Sequence, residues 1–402
     1  MPSFKYKAVN KSGEFLDGVI VVASQADVVQ MLREKEFLPV NVEQIRENQD
    51  VDILAFMKKV KTKDIAIFCR QFHTMLNSGI SIIQCLDILR QQFDNLKLRK
   101  VIVDVYDLVQ KGSTFSESMR AHRDTFPELL INMIEAGEMS GNLDTILQRM
   151  ADHYEKDTRL KRKITGAMIY PMVLSGVSIL VVTFLLIFVM PVFIGMFTSS
   201  GVQLPLPTRI LLGLSDFLRG YWYVVLFVLI VGIYLLRRFL KSDAGKLVFD
   251  RLKLRLPIVK HVAIRIATTR FARTLSTLLA SGIPLLSAME ITAKVVGNKV
   301  VENAVMGIRE DVRKGFDLAG PVKRTGLFPP MVDSMIHIGE ESGSLDDVLK
   351  RTADFYDEEV DAAIAKMTAM LEPLMIVFMA VVIGSVIIAI AAPMFGMFNT
   401  IG

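Results

Sequence analysis

From Ala167 to Val189 the chain reads AMIYPMVLSGVSILVVTFLLIFV, without one charged residue. No other stretch restricts more tightly what the chain can become. About 23 residues at a rise of about 1.5 Å give roughly 34 Å of helix, enough to cross a hydrocarbon core near 30 Å. Two more such segments follow. Tyr221 to Leu236 (YWYVVLFVLIVGIYLL) is shorter, with Trp222 and Tyr223 suited to one interface and Arg237 and Arg238 to the other. Leu374 to Ala392 (LMIVFMAVVIGSVIIAIAA) lies in a region uncharged from Pro373 to Gly402. Three membrane spans are expected. With 51% hydrophobic but still 22% charged residues, the apolar excess must sit in a few segments, leaving about half the chain soluble.

The basic residues predict direction. Arg159, Lys161, Arg162 and Lys163 precede the first span, whereas the connector to the second carries only Arg209 and Arg219. Arg237, Arg238, Lys241 and Lys246 follow the second span, and no Lys or Arg follows the third. Basic flanks mark the cytoplasmic side, so both large soluble domains are expected inside and the C-terminus outside. The start, MPSFKYKAVNKSGEF, lacks the apolar core and cleavage site of a signal peptide, which agrees with an N-terminus inside. The net charge of +5 is then a topology signal and not the footprint of a nucleic-acid partner.

The chain also repeats itself. At an offset of 203, FCRQFHTMLNSGI (Phe68 to Ile80) pairs with FARTLSTLLASGI (Phe271 to Ile283), and Lys111-Gly112 with Lys314-Gly315. One residue is then lost. At 202, Phe126-Pro127 pairs with Phe328-Pro329, Gly137-Glu138 with Gly339-Glu340, Ser140-Gly141 with Ser342-Gly343, and Tyr154 with Tyr356. The same register carries Pro171 onto Pro373 and Pro191 onto Pro393. The repeated unit is therefore a soluble domain plus the span behind it, and the second span is the return helix that lets both copies face the same side.

The expected fold is mainly α: a polytopic membrane protein with two duplicated cytoplasmic helical-bundle domains, three transmembrane helices and a small N-terminal α+β module. The expected order is module 1–45, linker 46–62, helical domain 63–166, span 167–190, connector 191–220, span 221–236, helical domain 237–370, span 374–393 and tail 394–402. In the module, FKYKAV, GVIVVA and LPVNV read as strands and Gln25 to Glu36 as a helix, with Ser24 and Asp27 as a capping box. Polar RENQDVD is the tether. Thr62 can cap a helix through Asn77, which Gly79 stops. No Gly or Pro lies between Asn142 and Thr165, so the last soluble helix should run straight into the first span and couple domain tilt to membrane position.

Two sets of residues stand out as candidate sites. The first is G-E-x-S-G, which occurs as Gly137, Glu138, Ser140, Gly141 and again as Gly339, Glu340, Ser342, Gly343. Asn142 and Ser344 are good N-cap types, and Asp144 and Asp346 put carboxylates in a first helical turn. The motif reads as a helix–helix turn, with Glu138 and Glu340 as candidate contacts to a partner or a cation. The second set is Pro171 and Pro191 around the first span and Pro373 and Pro393 around the third. Proline frees backbone carbonyls that neighbours must satisfy, so packing or a hinge is expected there. The acidic stretch Asp346 to Asp361 lacks the residue order of a calcium loop and reads as a solvated helix face.

Several chemistries find no support. Gly245-Lys246 is followed by Leu247, so there is no Walker phosphate cradle. All five histidines lie outside the spans, and the spans hold no ionisable group of the kind ion-coupled carriers need. Cys69 and Cys85 have neither disulfide context nor metal-ligand spacing. No catalytic residue and no cofactor are expected. A channel would reveal itself by substrate flux in liposomes, and a sensor by ligand binding to the N-terminal module.

With duplication and spans in place, the chain resembles the inner-membrane platform proteins of type IV pilus and type II secretion machines, the PilC/GspF family. Lys163 to Pro191 (KITGAMIYPMVLSGVSILVVTFLLIFVMP) looks like the family signature around the first span, with Tyr170-Pro171, small Ser178 and a closing Pro191. YKAVNKSGEFLDG looks like the family's opening module, while the second copy departs from the signature with Glu372 where the first has Tyr170. The resemblance implies a dimeric or higher scaffold that engages a hexameric secretion ATPase, pilins or pseudopilins, and other inner-membrane assembly proteins. It covers nearly the whole chain, and overall similarity favours the pilus over the secretion machine.

Overall fold

The computed structural model describes residues 3–9, 15–21, 25–34, 37–45, 59–192 and 206–401. In chain order the elements are β1 (Ser3–Val9), β2 (Phe15–Val21), α1 (Gln25–Glu34), β3 (Leu38–Ile45), α2 (Thr62–Asn77), α3 (Ile82–Gln92), α4 (Leu96–Gln110), α5 (Phe115–Arg120), α6 (Glu128–Ser140) and α7 (Leu143–Phe184). A π-helical turn, Leu185–Val189, continues α7. Then come α8 (Leu206–Gly220), α9 (Trp222–Lys241), α10 (Asp243–Arg255), α11 (Pro257–Ala280), α12 (Leu285–Val295), α13 (Lys299–Arg313), α14 (Ala319–Thr325), α15 (Pro330–Ser342) and α16 (Leu345–Ile401). The fold is mainly α with a small N-terminal α+β module, and two compact units can be drawn, residues 1–61 with 86–106, and residues 62–85 with 107–402.

In the first unit the sheet order is β2-β1-β3, both pairings antiparallel, with Tyr6 opposite Gly18 on one side and Val42 on the other. Val28 and Leu32 of α1 bury against Ala8 of β1, with Met31 and Phe37 closing the cluster. The helix is described from Gln25 to Glu34, and Lys35 and Glu36 of the expected helix lie outside the described residues. Ser24 of the expected capping box and the RENQDVD tether lie outside the described residues. Farther along this unit, the Asn95 side chain accepts from the N–H groups of Lys97 and Leu98 and caps α4, while Arg90 pairs with Asp87 and lies 4.6 Å over the Tyr106 ring.

The second unit holds three helices long and apolar enough to cross a membrane. α7 passes without a break from the soluble part into the first apolar segment, and α16 does the same for the third. The Gly- and Pro-free run that predicts this in α7 has its equivalent in α16, where residues 344–372 contain neither breaker. Each copy starts by laying one helix along its long helix, α2 on α7 and α11 on α16.

Two local expectations need correction. Thr62 is the first helical residue and its hydroxyl accepts from Lys161 Nζ at 2.7 Å, so it ties α2 to α7 instead of capping its own helix. Asn142 precedes α7 but makes no side-chain cap bond, because its backbone (φ −110°, ψ 42°) lies outside the extended region that capping needs. The connector carries a helix of its own, α8, and the expected C-terminal tail is helical through Ile401. The second span runs from Trp222 to Lys241, so Arg237, Arg238 and Lys241 are part of its last turns.

Candidate functional site

The Gly, Glu and Ser residues of the G-E-x-S-G corners each have a structural task, and the two copies perform it alike. Gly141 ends α6 in the left-handed region (φ 71°), where the N–H of Asn142 reaches back to the Gly137 carbonyl at 3.0 Å. Gly343 does the same for α15 (φ 66°), with Ser344 N bonded to Gly339 O at 3.0 Å. Glycine tolerates that conformation without the steric cost of a Cβ. At Gly137 a Cβ would stand 3.0 Å from Ile146 Cγ1 and 3.2 Å from Leu143 Cα, and at Gly339 it would stand 3.0 Å from Leu345 Cα. The small residue lets the long helix leave at close range. Ser140 and Ser342 return their hydroxyls to carbonyls one turn back, at 2.8 and 2.7 Å.

The two glutamates are committed within the fold. Glu138 accepts from the N–H groups of Phe115 (2.6 Å) and Ser116 (2.9 Å), at the start of α5. Glu340 accepts from Leu318 (2.6 Å) and Ala319 (3.1 Å), at the start of α14. A carboxylate there satisfies orphan N–H groups and meets the positive end of the helix dipole. The α5 start is further closed by a capping box, Thr114 with Glu117, which the T-x-x-E spacing announces and the sequence reading passed over.

The bonds between first and long helix repeat as well. Arg70 on α2 forks onto Glu155 (2.8 Å) and Asp152 (2.5 Å) of α7, and its equivalent Arg273 on α11 holds Asp357 of α16. His73 Nδ1 lies 2.9 Å from the Asp144 carbonyl, and Ser276, its counterpart, donates to the Asp346 carbonyl at 2.7 Å. Phe68 meets Phe126, and Phe271 meets Phe328.

Where the copies meet, they differ. Lys156 of α7 pairs with Asp354 of α16 at 2.5 Å, and one heptad on, Lys163 pairs with Asp361. Between these pairs Leu160 packs with Val262, Val360, Ala363 and Ile364, with Ile164, Ala167, Ile266 and Met367 at the edge. In the register of the duplication, Lys156 corresponds to Glu358 and Arg159 to Asp361, so one copy is basic where the other is acidic. That sign reversal was present in the aligned repeats and could have located the seam. These ion pairs are about half exposed, where each is worth at most about 1 kcal/mol. The apolar cluster supplies the adhesion, and the charges fix register.

Two clefts flank the seam, a polar one of about 460 Å³ bordered by Arg149, Asp152, Lys156, Lys350 and Asp354, and one of about 410 Å³ bordered by Asp157, Lys161 and Arg270 together with Leu129 and Ile291. His153 and Arg273 line both. His153 is 7% exposed, and no described residue bonds its Nδ1. Burial, with the nearby Arg273 charge adding to it, lowers its pKa to about 4, so the imidazole is neutral. Burial works against the Asp157 charge, but Arg270 at 3.3 Å and Lys161 at 2.8 Å prevail and its pKa falls. Asp357 goes the other way: burial outweighs the pull of Arg273. Cys69 and Cys85 are buried thiols pushed upward by desolvation, the opposite of an activated nucleophile.

In the apolar half, Pro171 sits inside α7 and Pro373 inside α16 without ending either helix. Tyr170 is exposed and its copy-two position is Glu372. Pro191 follows the π-helical turn, in which Met190 N bonds five residues back, to Leu185 O. Continuing that pattern, Pro191 would donate to Leu186 O but has no N–H. The Ser215 hydroxyl of α8 donates to that carbonyl instead, at 2.6 Å. Leu186 and Met190 are buried beside Ala389 of α16, with Leu211 of α8 against them. The freed carbonyl expected from the proline is therefore satisfied by a residue the sequence reading had not singled out. Pro393 lies within α16.

The family described as type II secretion system (T2SS), protein F, matches twice, at residues 68–191 and 271–393, and that described as type II secretion system protein F, N-terminal domain, matches residues 1–43. The chain is 38% identical to the type IV pilus assembly protein PilC of Myxococcus xanthus, covering 99% of this chain and 95% of that protein. It is 37% identical to the PilC of Thermus thermophilus, over 100% and 99% of the two chains. Similarity to the type II secretion system protein F of Vibrio cholerae is 35% identity over 99% of both. Two family matches one repeat apart, each spanning a soluble half and the apolar helix behind it, place this multi-pass membrane protein in the type II secretion system protein F family.

Proposed function

We propose that this chain is an inner-membrane platform of a type IV pilus assembly machine, a scaffold without catalysis of its own that passes the motion of a cytoplasmic hexameric ATPase to pilins entering or leaving the filament. The observation that carries the reading is full-length similarity to pilus assembly proteins from two organisms, joined to a geometry in which each copy's soluble bundle ends in the helix that enters the membrane. The N-terminus and both helical domains lie in the cytoplasm and the C-terminus in the periplasm, a topology supported by the basic flanks of α7 and α9. The working form is a homodimer or higher oligomer among other inner-membrane assembly proteins.

On this reading the corners at Gly137–Gly141 and Gly339–Gly343 set the angle at which the long helices leave, and Tyr170, Pro171, Pro191, Pro373 and Pro393 are packing positions in the spans. A second reading, a type II secretion platform acting on pseudopilins, is favoured by the similarity to the secretion protein of Vibrio cholerae. An in-frame deletion in the native host separates them. Lost surface filaments by electron microscopy with normal enzyme export supports the pilus role. Lost export with intact filaments supports the second reading, and no change in either refutes both.

A further inference from the structure

α10 follows α9 with only Ser242 between them. The corner is tightly fixed. Ser242 caps α10 by accepting from Gly245 N at 3.1 Å, and a Cβ on Gly245 would stand 1.9 Å from the Phe239 carbonyl oxygen, so the helix starts pressed against the last turn of the span. On its inner face Asp250 accepts from Lys299 N and from Lys253 Nζ, both at 2.9 Å, which pins α10 to the start of α13.

The opposite face is uncovered. At about 100° per residue, Val248, Phe249 and Leu252 form one stripe across from Asp250, extended by Leu256 just past the helix end, and all four are between 42% and 56% exposed. Arg251 and Arg255 border the stripe on one side, Lys246 and Lys253 on the other. Among the described residues, none forms an ion pair with Lys246, Arg251 or Arg255, although the neighbouring Lys253 is paired. An apolar stripe with basic residues on both borders, leaving a membrane span at a fixed corner, is the form of a helix that lies in the lipid–water interface.

We propose that α10 beds its Val248–Phe249–Leu252 face in the bilayer surface beside α9 and that Lys246, Arg251 and Arg255 hold the headgroups of acidic phospholipids. The proposal rests on α9 crossing the bilayer, so the test includes a control for the span. Full-length protein carrying Cys69→Ala and Cys85→Ala, which places the alanine found at the equivalent positions Ala272 and Ala288, is labelled with bimane at Val248→Cys or Leu252→Cys. It is reconstituted in nanodiscs containing lipid spin-labelled near the headgroup. Quenching should be at least about two-fold stronger with phosphatidylglycerol present than in all-phosphatidylcholine discs, and the Lys246→Glu/Arg251→Glu/Arg255→Glu variant should lose that difference. Quenching no stronger than at the exposed corner position Met139→Cys overturns the proposal. So does quenching indifferent to acidic lipid, or shielding that appears only when an acidic protein partner is added. A label at Leu229→Cys untouched by a mid-bilayer spin label overturns the span itself, and this result is distinguishable from the others.

Discussion

Replacing His153 by Phe should flatten the response of this protein to mild acid. The second copy has Phe355 at the equivalent position, and the side chain borders two clefts, so a ring of similar size can be housed there. Desolvation lowers the His153 pKa from its ordinary 6.5 to about 4, so the fold holds the neutral form. Its stabilising effect is full above the unfolded value and is lost as pH falls from 6.5 towards about 4. At about pH 5 the unfolded chain gains about 2 kcal/mol over the folded one by taking up this proton. For a cooperative unit of this size that is on the order of 2–4 °C in Tm. The assay is thermal unfolding of the full chain in detergent, wild type against His153→Phe, at about pH 7.5 and about pH 5. Glu155, held low by its bond to Arg70, titrates only below its ordinary range, and Asp357, raised by burial, is common to both proteins. The difference between the two proteins therefore isolates His153. An unchanged acid slope in the variant would falsify the assignment of a buried, neutral, unpaired imidazole.

Glu138→Ala and Glu340→Ala should each cost about 2–4 kcal/mol, because each strands two N–H groups at a helix start, with Gln at either position recovering about half; chemical denaturation of the two variants checks whether the copies respond alike, and a change below about 0.5 kcal/mol in both would exclude the capping role. Ser215→Ala leaves the Leu186 carbonyl without its donor and should lose about 1–2 kcal/mol, less in a Pro191→Ala background, where the backbone N–H returns. A double-mutant cycle with no coupling would break the link between the two residues. Lys156→Asp should lower stability by only about 0.5–1 kcal/mol because its pair is exposed, and adding Asp354→Lys should restore it; failure of the exchanged pair to recover would show that the seam does not depend on that contact.

The larger features were readable because each rests on a periodic or compositional signal. Charge-free length revealed the spans, self-alignment revealed the duplication, and the absence of Gly and Pro from 142–165 revealed that α7 would not break. What escaped was set by contacts between distant segments. Glu138 looked available to a partner because its donors, Phe115 N and Ser116 N, lie on another helix and carry no side-chain signature. Thr62 looked like a cap until Lys161 was seen to occupy its hydroxyl. Ser215 stood in an apolar connector with nothing to mark it except the carbonyl that Pro191 frees. The seam was half visible: Lys163 was read only as a basic flank and Lys156 was not singled out, yet they face Asp361 and Asp354.

The most direct test of transmission from the soluble bundles to the membrane softens α7 where it leaves its soluble half, without changing its register. Thr165→Gly with Ala167→Gly gives three successive glycines around Gly166, at a cost of only about 1–2 kcal/mol in helix propensity. Thr165→Ala, which removes the hydroxyl bond to the Lys161 carbonyl but keeps the helix stiff, is the control. Surface filaments counted in the native host should vanish for the glycine variant at normal protein level in the membrane and persist for the control. Wild-type filament numbers in the glycine variant would contradict the account.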